Sequence, residues 1–433
     1  MPQAIGFVGL GAMGFGMATH LVKQGYAVQG FDVFPASVDR FKAAGGTAAA
    51  SLRDSAQGKQ FYVCMVASAP QVQAALFGEG GAVQALPQNA TLFLCSTVPA
   101  SFAVSVAESL QSHGRGDIQL IDCPVSGGAA RAAEGTLSIM AGGSAAALEG
   151  GRFLLETLSA ADKLYLVPGG VGAGSNMKMV HQVLAGIHIL GASEAMGLAA
   201  RLGLDARRTA EEIRGSEAWT WMHENRLPRM VEEEWEPGAS ALTIILKDVG
   251  IITSSARRVH FPTPLSSTAE QTYLAALSQG YGGKDDSAMV RQYFAHPIAQ
   301  VRQTNTSASD QSAALQLVRE LMLGINLCAA AEAVSFARFL KVDLAQFYTL
   351  ASNAAGSSRV FMAEGRDMVE GRTGAGRRTV DQAVEAMEGV AQKARDLECP
   401  LHLGNAALSV LTLAKRGGYG GEGWTSVSRV FGA

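Results

Sequence analysis

From Ala4 to Val167, short apolar runs alternate with amphipathic segments. The runs predict buried strands over Ala4 to Val8, Ala27 to Phe31, Phe61 to Val66, Thr91 to Ser96, Gln119 to Cys123, Leu137 to Ala141 and Lys163 to Val167. Turn residues separate them, which is the pattern of a doubly wound α/β domain. After the break Pro168-Gly169-Gly170 the character changes. From about Ser175 onward long helical periodicity dominates with hardly any strand-like alternation, so an all-helical part is expected.

The helical part repeats itself. Residues 176 to 290 realign on the C-terminal part without a gap at a shift of 138, which brings Ile187 onto Ile325, Glu194 onto Glu332, Leu202 onto Leu340, Asp205 onto Asp343 and Pro262 onto Pro400. Gly280-Tyr281-Gly282-Gly283 likewise returns as Gly418-Tyr419-Gly420-Gly421. The expected architecture is an α/β Rossmann domain (1–168) followed by two tandem, homologous all-α domains (169–299 and 317–433). The polar, aperiodic stretch from Gln300 to Ser312 is read as the core of a linker over 300–316.

Composition narrows the partners. A chain of 433 residues with 48% hydrophobic and 17% charged residues is globular, and a net charge of -3 without any Lys/Arg block gives no basic footprint for nucleic acid or an anionic membrane. A small molecule is the expected ligand. Cys64, Cys95, Cys123, Cys328 and Cys399 form no C-x-x-C pair, so neither structural zinc nor a disulfide framework is indicated and a reducing compartment fits. The most apolar stretch, Val183 to Ala200, carries His188 and Glu194 and reads as a buried helix rather than a membrane span. The first ten residues already read as a strand, so no targeting peptide is expected and the protein is read as cytoplasmic.

Three motifs carry candidate chemistry. Gly9-Leu10-Gly11-Ala12-Met13-Gly14 follows the first strand and opens a helix expected over Met13 to Lys23, where glycines let backbone approach a pyrophosphate at the positive helix end. The second strand ends at Asp32, about 20 residues on, where a carboxylate bonds the adenosine ribose hydroxyls. That carboxylate repels a 2′-phosphate, and no Arg stands at 33 or 34, so NAD is favoured over NADP; Arg40 is the cation able to bend back towards the ribose. The second motif is Asp122-Cys123-Pro124-Val125-Ser126-Gly127-Gly128, which either presents backbone N–H groups and a hydroxyl to a carboxylate or is a plain flexible turn. The third is the glycine-rich run Gly169 to Gly174 leading to Ser175-Asn176-Met177-Lys178. Lys178 is expected in the first turn of a long helix, facing the cleft between domains, where a helix N-terminus and shelter from water both disfavour the ammonium form and bring its pKa down from about 10.4.

These motifs, in this order and spacing, resemble the β-hydroxyacid dehydrogenase family, which includes 3-hydroxyisobutyrate, tartronate semialdehyde and 6-phosphogluconate enzymes; the resemblance covers residues 1 to about 295. It implies that Ser126, Gly127 and Gly128 bind substrate carboxylate and that Lys178 is the catalytic acid/base. It also implies that Ser96 and Thr97 lie against the nicotinamide, that Val33 and Val66 line the cofactor site with the glycine loop and Asp32, and that Lys247 and Asp248 of ILKDVG close over cofactor and substrate. The family usually has Asn one helical turn beyond the lysine, and this chain has Gln182, an amide on a longer arm. The segment from Lys178 through HQVLAGIHILGASEAMGLAARLGL, and the stretch Trp219 to Arg226 with WMHENR, look most like the L-threonate dehydrogenase branch, which makes a four-carbon polyhydroxy acid the leading substrate.

Other readings stand beside this one. The rival enzymes are a tartronate semialdehyde or 3-hydroxyisobutyrate type reductase, and the rival from another class is a non-catalytic NAD-binding relative. His181 and His188 share a helical face, but two histidines make no metal site and a packed or hydrogen-bonded role is expected. Trp219, Trp221 and His223 fit a pocket wall and a core equally well. The shift of 138 places Gln316 on Lys178, Glu385 on Lys247 and Ala386 on Asp248, so the second copy lacks the catalytic set. Helical domains of this family pair across a dimer interface, so the second copy is expected to replace a partner's domain; a monomer then suffices, with a homodimer as the alternative.

Overall fold

The computed structural model describes residues 3–236, 238–301, 307–373 and 378–432. It divides into two compact units, Met1–Lys178 and Met179–Ala433.

The first unit is built on one sheet. Strands β1 (Ala4–Val8), β2 (Ala27–Phe31), β3 (Thr47–Ala48), β4 (Phe61–Cys64), β5 (Thr91–Leu94) and β6 (Gln119–Asp122) are parallel in the order β3-β2-β1-β4-β5-β6. Beyond β6 lie β8 (Leu137–Gly143), antiparallel to it, and the short β7 (Val125–Ser126); β9 (Ser159–Leu166) pairs parallel with β8. The central strands read as near-continuous apolar runs because helices cover both faces: Ile5, Phe7, Val63, Phe93 and Ile121 face one core, and Val8, Tyr62, Cys64, Leu92 and Leu94 the other. Every expected strand is present, β1 and β2 with the expected bounds. The sequence reading passed over β3 and β7, whose two residues are too few to show alternation, and it started β9 four residues late.

The second unit is helical throughout its described residues. Two long apolar helices, Ala173–Arg201, which begins at the end of the first unit, and Ala308–Phe339, meet the length and hydropathy of a membrane span, yet their apolar windows are 100% and 94% buried. They are core helices. Ala308–Phe339 takes in residues 308–316 of the stretch read as a linker, because Ser307 caps it by accepting from the Asp310 N–H. Residues 302–306 of that stretch lie outside the described residues.

The 138-residue shift reappears as geometry. Glu194 accepts from the N–H groups of Leu403 (2.9 Å) and Gly404 (2.7 Å), and Glu332 accepts from Leu265 (2.8 Å), Ser266 (3.0 Å) and the Ser266 hydroxyl (2.6 Å). Each carboxylate thus closes the N-terminus of a helix, Pro264–Ser278 or His402–Ala414, from the segment that the shift of 138 relates to its own. Thr220 bridges its own counterpart Ser358, flanked by the bonds Trp221 N–H to Ser357 (2.9 Å) and Arg359 N–H to Trp219 (3.1 Å).

Candidate active site

In the first unit, parallel strands deliver their carboxyl ends to one edge of the sheet, the place where open α/β sheets bind ligands. β1 runs into Gly9-Leu10-Gly11, and the helix Ala12–Lys23 opens at once, one residue earlier than expected. Gly9 has φ +94°, and a Cβ at Gly14 would strike the Gly9 carbonyl oxygen, so both positions need glycine for the tight turn. At Gly11 an added Cβ would meet no atom within 4 Å. The second glycine therefore leaves the helix N-terminus open, and no side chain caps that end. Such a cradle, with Ala12 and Met13 supplying the next backbone N–H groups, fits a dinucleotide pyrophosphate.

Asp32, past the end of β2, accepts from the Leu10 N–H (2.6 Å) and the Phe34 N–H (2.9 Å). These bonds fix its carboxylate beside the glycine turn, where a ribose would sit, and the side chains of Val33 and Phe34 stand bare next to it. Arg40 does reach back: its guanidinium donates to the Leu10 carbonyl (3.3 Å) and lies 4.0 Å from the Phe15 ring centre. Val66 follows β4 with its backbone against Gly9, and the buried Ser96 follows β5, donating to the Cys64 carbonyl (3.5 Å), with Thr97 next to it.

The Ser-Gly-Gly segment is more ordered than a flexible turn. Ser126 ends β7, Gly127 (φ +144°) is the N-cap, and Gly128 opens the helix Gly128–Glu134. That helix packs on Ala12–Lys23 at Gly16, where a Cβ would press on Ala132 and Ala133. A Cβ at Gly128 would meet nothing within 4 Å, so its backbone faces open space.

Asp122, at the end of β6, anchors the third motif. It accepts from Gly172 N–H (3.0 Å), Ser175 N–H (2.8 Å) and the Ser175 hydroxyl (2.6 Å), while burial pushes its carboxyl up to about 6. The long helix starts at Ala173, so Lys178 stands in its second turn, not the first as the sequence suggested. Its side chain is almost fully buried at 5% exposure.

The helical unit brings another predicted set together. Gln182, one turn beyond Lys178 on the same helix, donates from Nε2 to Asp248 Oδ2 (2.6 Å), and Lys247 Nζ lies 3.2 Å from Asp248 Oδ1. Asp248 is 7% exposed, and its Oδ1 accepts no well-aligned hydrogen bond, which leaves lone pairs for a hydroxyl. His181 takes part in this set, and no sequence signal distinguished it from a packed residue. His188 is fully buried, and burial pushes its imidazole down to about 3. Trp219 donates to Glu224 (2.6 Å), and His223 is buried, its imidazole pushed down to about 4. Arg226 of WMHENR is spent on a buried two-pronged ion pair with Asp286 (2.8 Å each). Among the described residues no three His, Cys, Asp or Glu side chains gather as a metal site.

Known proteins share this organisation. Residues 4–169 match the family described as the NAD binding domain of 6-phosphogluconate dehydrogenase; 172–293 and again 311–431 match NAD-binding of NADP-dependent 3-hydroxyisobutyrate dehydrogenase. An L-threonate dehydrogenase of Cupriavidus necator is 38% identical over 291 residues, 67% of this chain and 96% of the relative, and one of Escherichia coli is 36% identical over 66% and 93%. Among solved structures, a 3-hydroxyisobutyrate dehydrogenase of Salmonella typhimurium superposes with TM-score 0.62 at 34% identity, covering 67% of this chain and all 100% of its own. The 6-phosphogluconate dehydrogenase of Plasmodium falciparum shares the fold over 95% of this chain and 92% of its own, with TM-score 0.68 at 12% identity. The chain belongs to the β-hydroxyacid dehydrogenase family, on its L-threonate dehydrogenase branch, and is an NAD(P)-dependent oxidoreductase of the CH–OH group with NAD the favoured cofactor.

Proposed function

We propose that the protein oxidises a small hydroxy acid, foremost a four-carbon sugar acid of the L-threonate type, with Lys178 as acid/base. The observation that carries this reading is the near-complete burial of Lys178 on a helix whose start is held by Asp122. Ser126, Gly127 and Gly128 hold the substrate carboxylate with a hydroxyl and backbone N–H groups, while Gln182, Lys247 and Asp248 form the substrate-binding set of the helical unit. A dinucleotide would be held by the glycine loop and Asp32, with Ser96 and Thr97 the residues to meet its nicotinamide, and would supply the hydride acceptor. Lys178, neutral, takes the hydroxyl proton as the carbon is oxidised; protonated, it returns that proton in reduction and offsets the negative charge developing on oxygen.

We further infer that residues 169–299 and 317–433 are duplicated domains and that the second replaces a partner's helical domain, so that one chain suffices. The reciprocal Glu194 and Glu332 bonds and the double family match support this. Five free, buried cysteines fit a reducing cytoplasm.

The test is a spectrophotometric screen of NAD and NADP reduction with L-threonate, D-threonate, erythronate, glycerate and 3-hydroxyisobutyrate, repeated with Lys178→Ala. Turnover on the four-carbon acids with NAD is expected, and the variant should lose about 10²-fold to 10⁴-fold in kcat with NAD affinity kept. A variant with nearly full turnover removes Lys178 from the mechanism; preference for glycerate or 3-hydroxyisobutyrate moves the substrate to the rival enzymes.

A further inference from the structure

We propose that His181 is a positioning residue for the hydroxy-acid site, held in one tautomer by the second helical copy through Gly356. This deepens the dehydrogenase reading above and rests on it.

The case begins with a chain of hydrogen bonds inside the helical unit. The Gly356 N–H donates to His181 Nε2 (3.1 Å), His181 Nδ1 lies 3.2 Å from Gln182 Oε1, and Gln182 Nε2 donates to Asp248 Oδ2 (2.6 Å). At one end a backbone amide can only donate, and at the other a carboxylate can only accept, so every bond between them has one direction. His181 must therefore be neutral with its proton on Nδ1, because an Nε2 that carried hydrogen could not accept from Gly356. That proton turns the Gln182 carbonyl towards the ring and its NH2 towards Asp248. Gln182 has a longer arm than the Asn usual in the family, and its χ angles need this extra restraint if its amide is to present one geometry to substrate.

The loop that supplies Gly356 is itself fixed. It joins the helices Leu344–Asn353 and Arg359–Glu370, and it is tied to the first copy by the Thr220–Ser358 bridge and its two flanking backbone bonds. His181 and Gly356 are both buried, and a Cβ at Gly356 would lie 3.1 Å from His181 Nε2 and 3.1 Å from Leu184 Cβ, closer than side chains ordinarily pack. An added Cβ would oblige the imidazole or Leu184 to give by a few tenths of an ångström.

The related half lacks the parts. By the same shift His181 corresponds to Arg319, Gln182 to Glu320, Asp248 to Ala386 and Gly356 to Ala218. Arg319 instead pairs with Glu212 and Glu320 with Arg378. The relay exists only where Lys178 is retained, so the copy without a catalytic lysine contributes to the site of the other by orienting Gln182 and Asp248.

The test uses the full chain and three variants, His181→Phe, His181→Asn and Gly356→Ala, assayed with the hydroxy acid that the wild type turns over best. His181→Phe and Gly356→Ala should each lower kcat/KM for the hydroxy acid on the order of tenfold or more with KM for NAD unchanged, the pattern of misplaced substrate contacts. His181→Asn keeps a donor near the Nδ1 position and should recover part of the loss. Equal kinetics in wild type, His181→Phe and Gly356→Ala, or parallel losses for both substrates, would overturn the proposal. An activity-independent reading comes from nitrogen NMR of histidine-labelled protein, with His181→Phe assigning the signal. An Nδ1–H tautomer is expected, and an Nε2–H or doubly protonated ring would sink the relay. Absence of turnover by the wild type on every hydroxy acid would refute the dehydrogenase reading instead, while the tautomer would still decide the relay.

Discussion

Glu194 and Glu332, 138 positions apart, mirror each other: each is fully buried, and each accepts the leading N–H groups of a helix in the segment that the same shift relates to its own. A buried carboxylate is costly unless such donors surround it, and the donors in turn have no other acceptor at a helix start.

Removing either carboxylate should therefore unfold the helical unit more readily. Glu332→Ala strands two backbone N–H groups and the Ser266 hydroxyl, and Glu194→Ala strands the Leu403 and Gly404 N–H groups and the Tyr293 hydroxyl, so a loss of about 2 to 4 kcal/mol is expected for each in denaturant titration. A change below about 0.5 kcal/mol for both would mean that water replaces the carboxylates easily.

The pair also predicts a pH trend. Burial raises both carboxyls from an ordinary 4.5 to about 7, so the native state holds their protons more tightly than the unfolded chain does. The stabilisation from this binding is fully present below about 4.5 and is lost as pH rises through about 7. Asp122, raised to about 6, acts in the same sense. Calorimetry should show Tm falling between about pH 6.5 and pH 8, above the range in which the buried His188 and His223 act in the opposite sense, and a Glu194→Gln, Glu332→Gln double variant should show a flatter profile there.

The glycine loop separates folding from cofactor binding. Gly14→Ala drives a Cβ into the Gly9 carbonyl oxygen and should lower Tm, whereas Gly11→Val fills space that is open and should leave Tm within about 1 °C. Tryptophan fluorescence titration should nevertheless show Gly11→Val binding NAD at least about tenfold more weakly, because its side chain stands where the pyrophosphate approaches. Normal NAD affinity in Gly11→Val would place the dinucleotide elsewhere.

Sedimentation equilibrium should give a single species near the chain mass of 45.1 kDa. A tight dimer burying the same helical face against a second chain would exclude the view that the second copy stands in for a partner.

Much of this was legible in the residues, and the gaps have physical causes. β1, β2 and the loop from Gly9 to Gly14 could be read because strand, turn and helix N-terminus are local events set by a few neighbours. The pairing of Glu194 with Glu332 was visible as a repeat, though not what the two carboxylates hold. The start of Ala308–Phe339 was missed although Ser307 and Asp310 form a helix-start signal, since polar composition outweighed it. Lys178 stands in the second turn rather than the first because Asp122 gathers Gly172 and Ser175 across 50 or more positions and lets the helix begin at Ala173, two residues before Ser175. His181 was beyond reach for the same reason: its partner Gly356 lies 175 positions along the chain.

The bridge between Thr220 and Ser358 has an evolutionary corollary. In an assembly of two identical chains, the residue at such a point meets itself, and every mutation strikes both sides at once. Here the facing positions are encoded by separate codons and already differ, threonine against serine. Selection can act on one side while leaving the other untouched, so under the proposed duplication one half is free to keep its chemistry and the other to specialise as its scaffold.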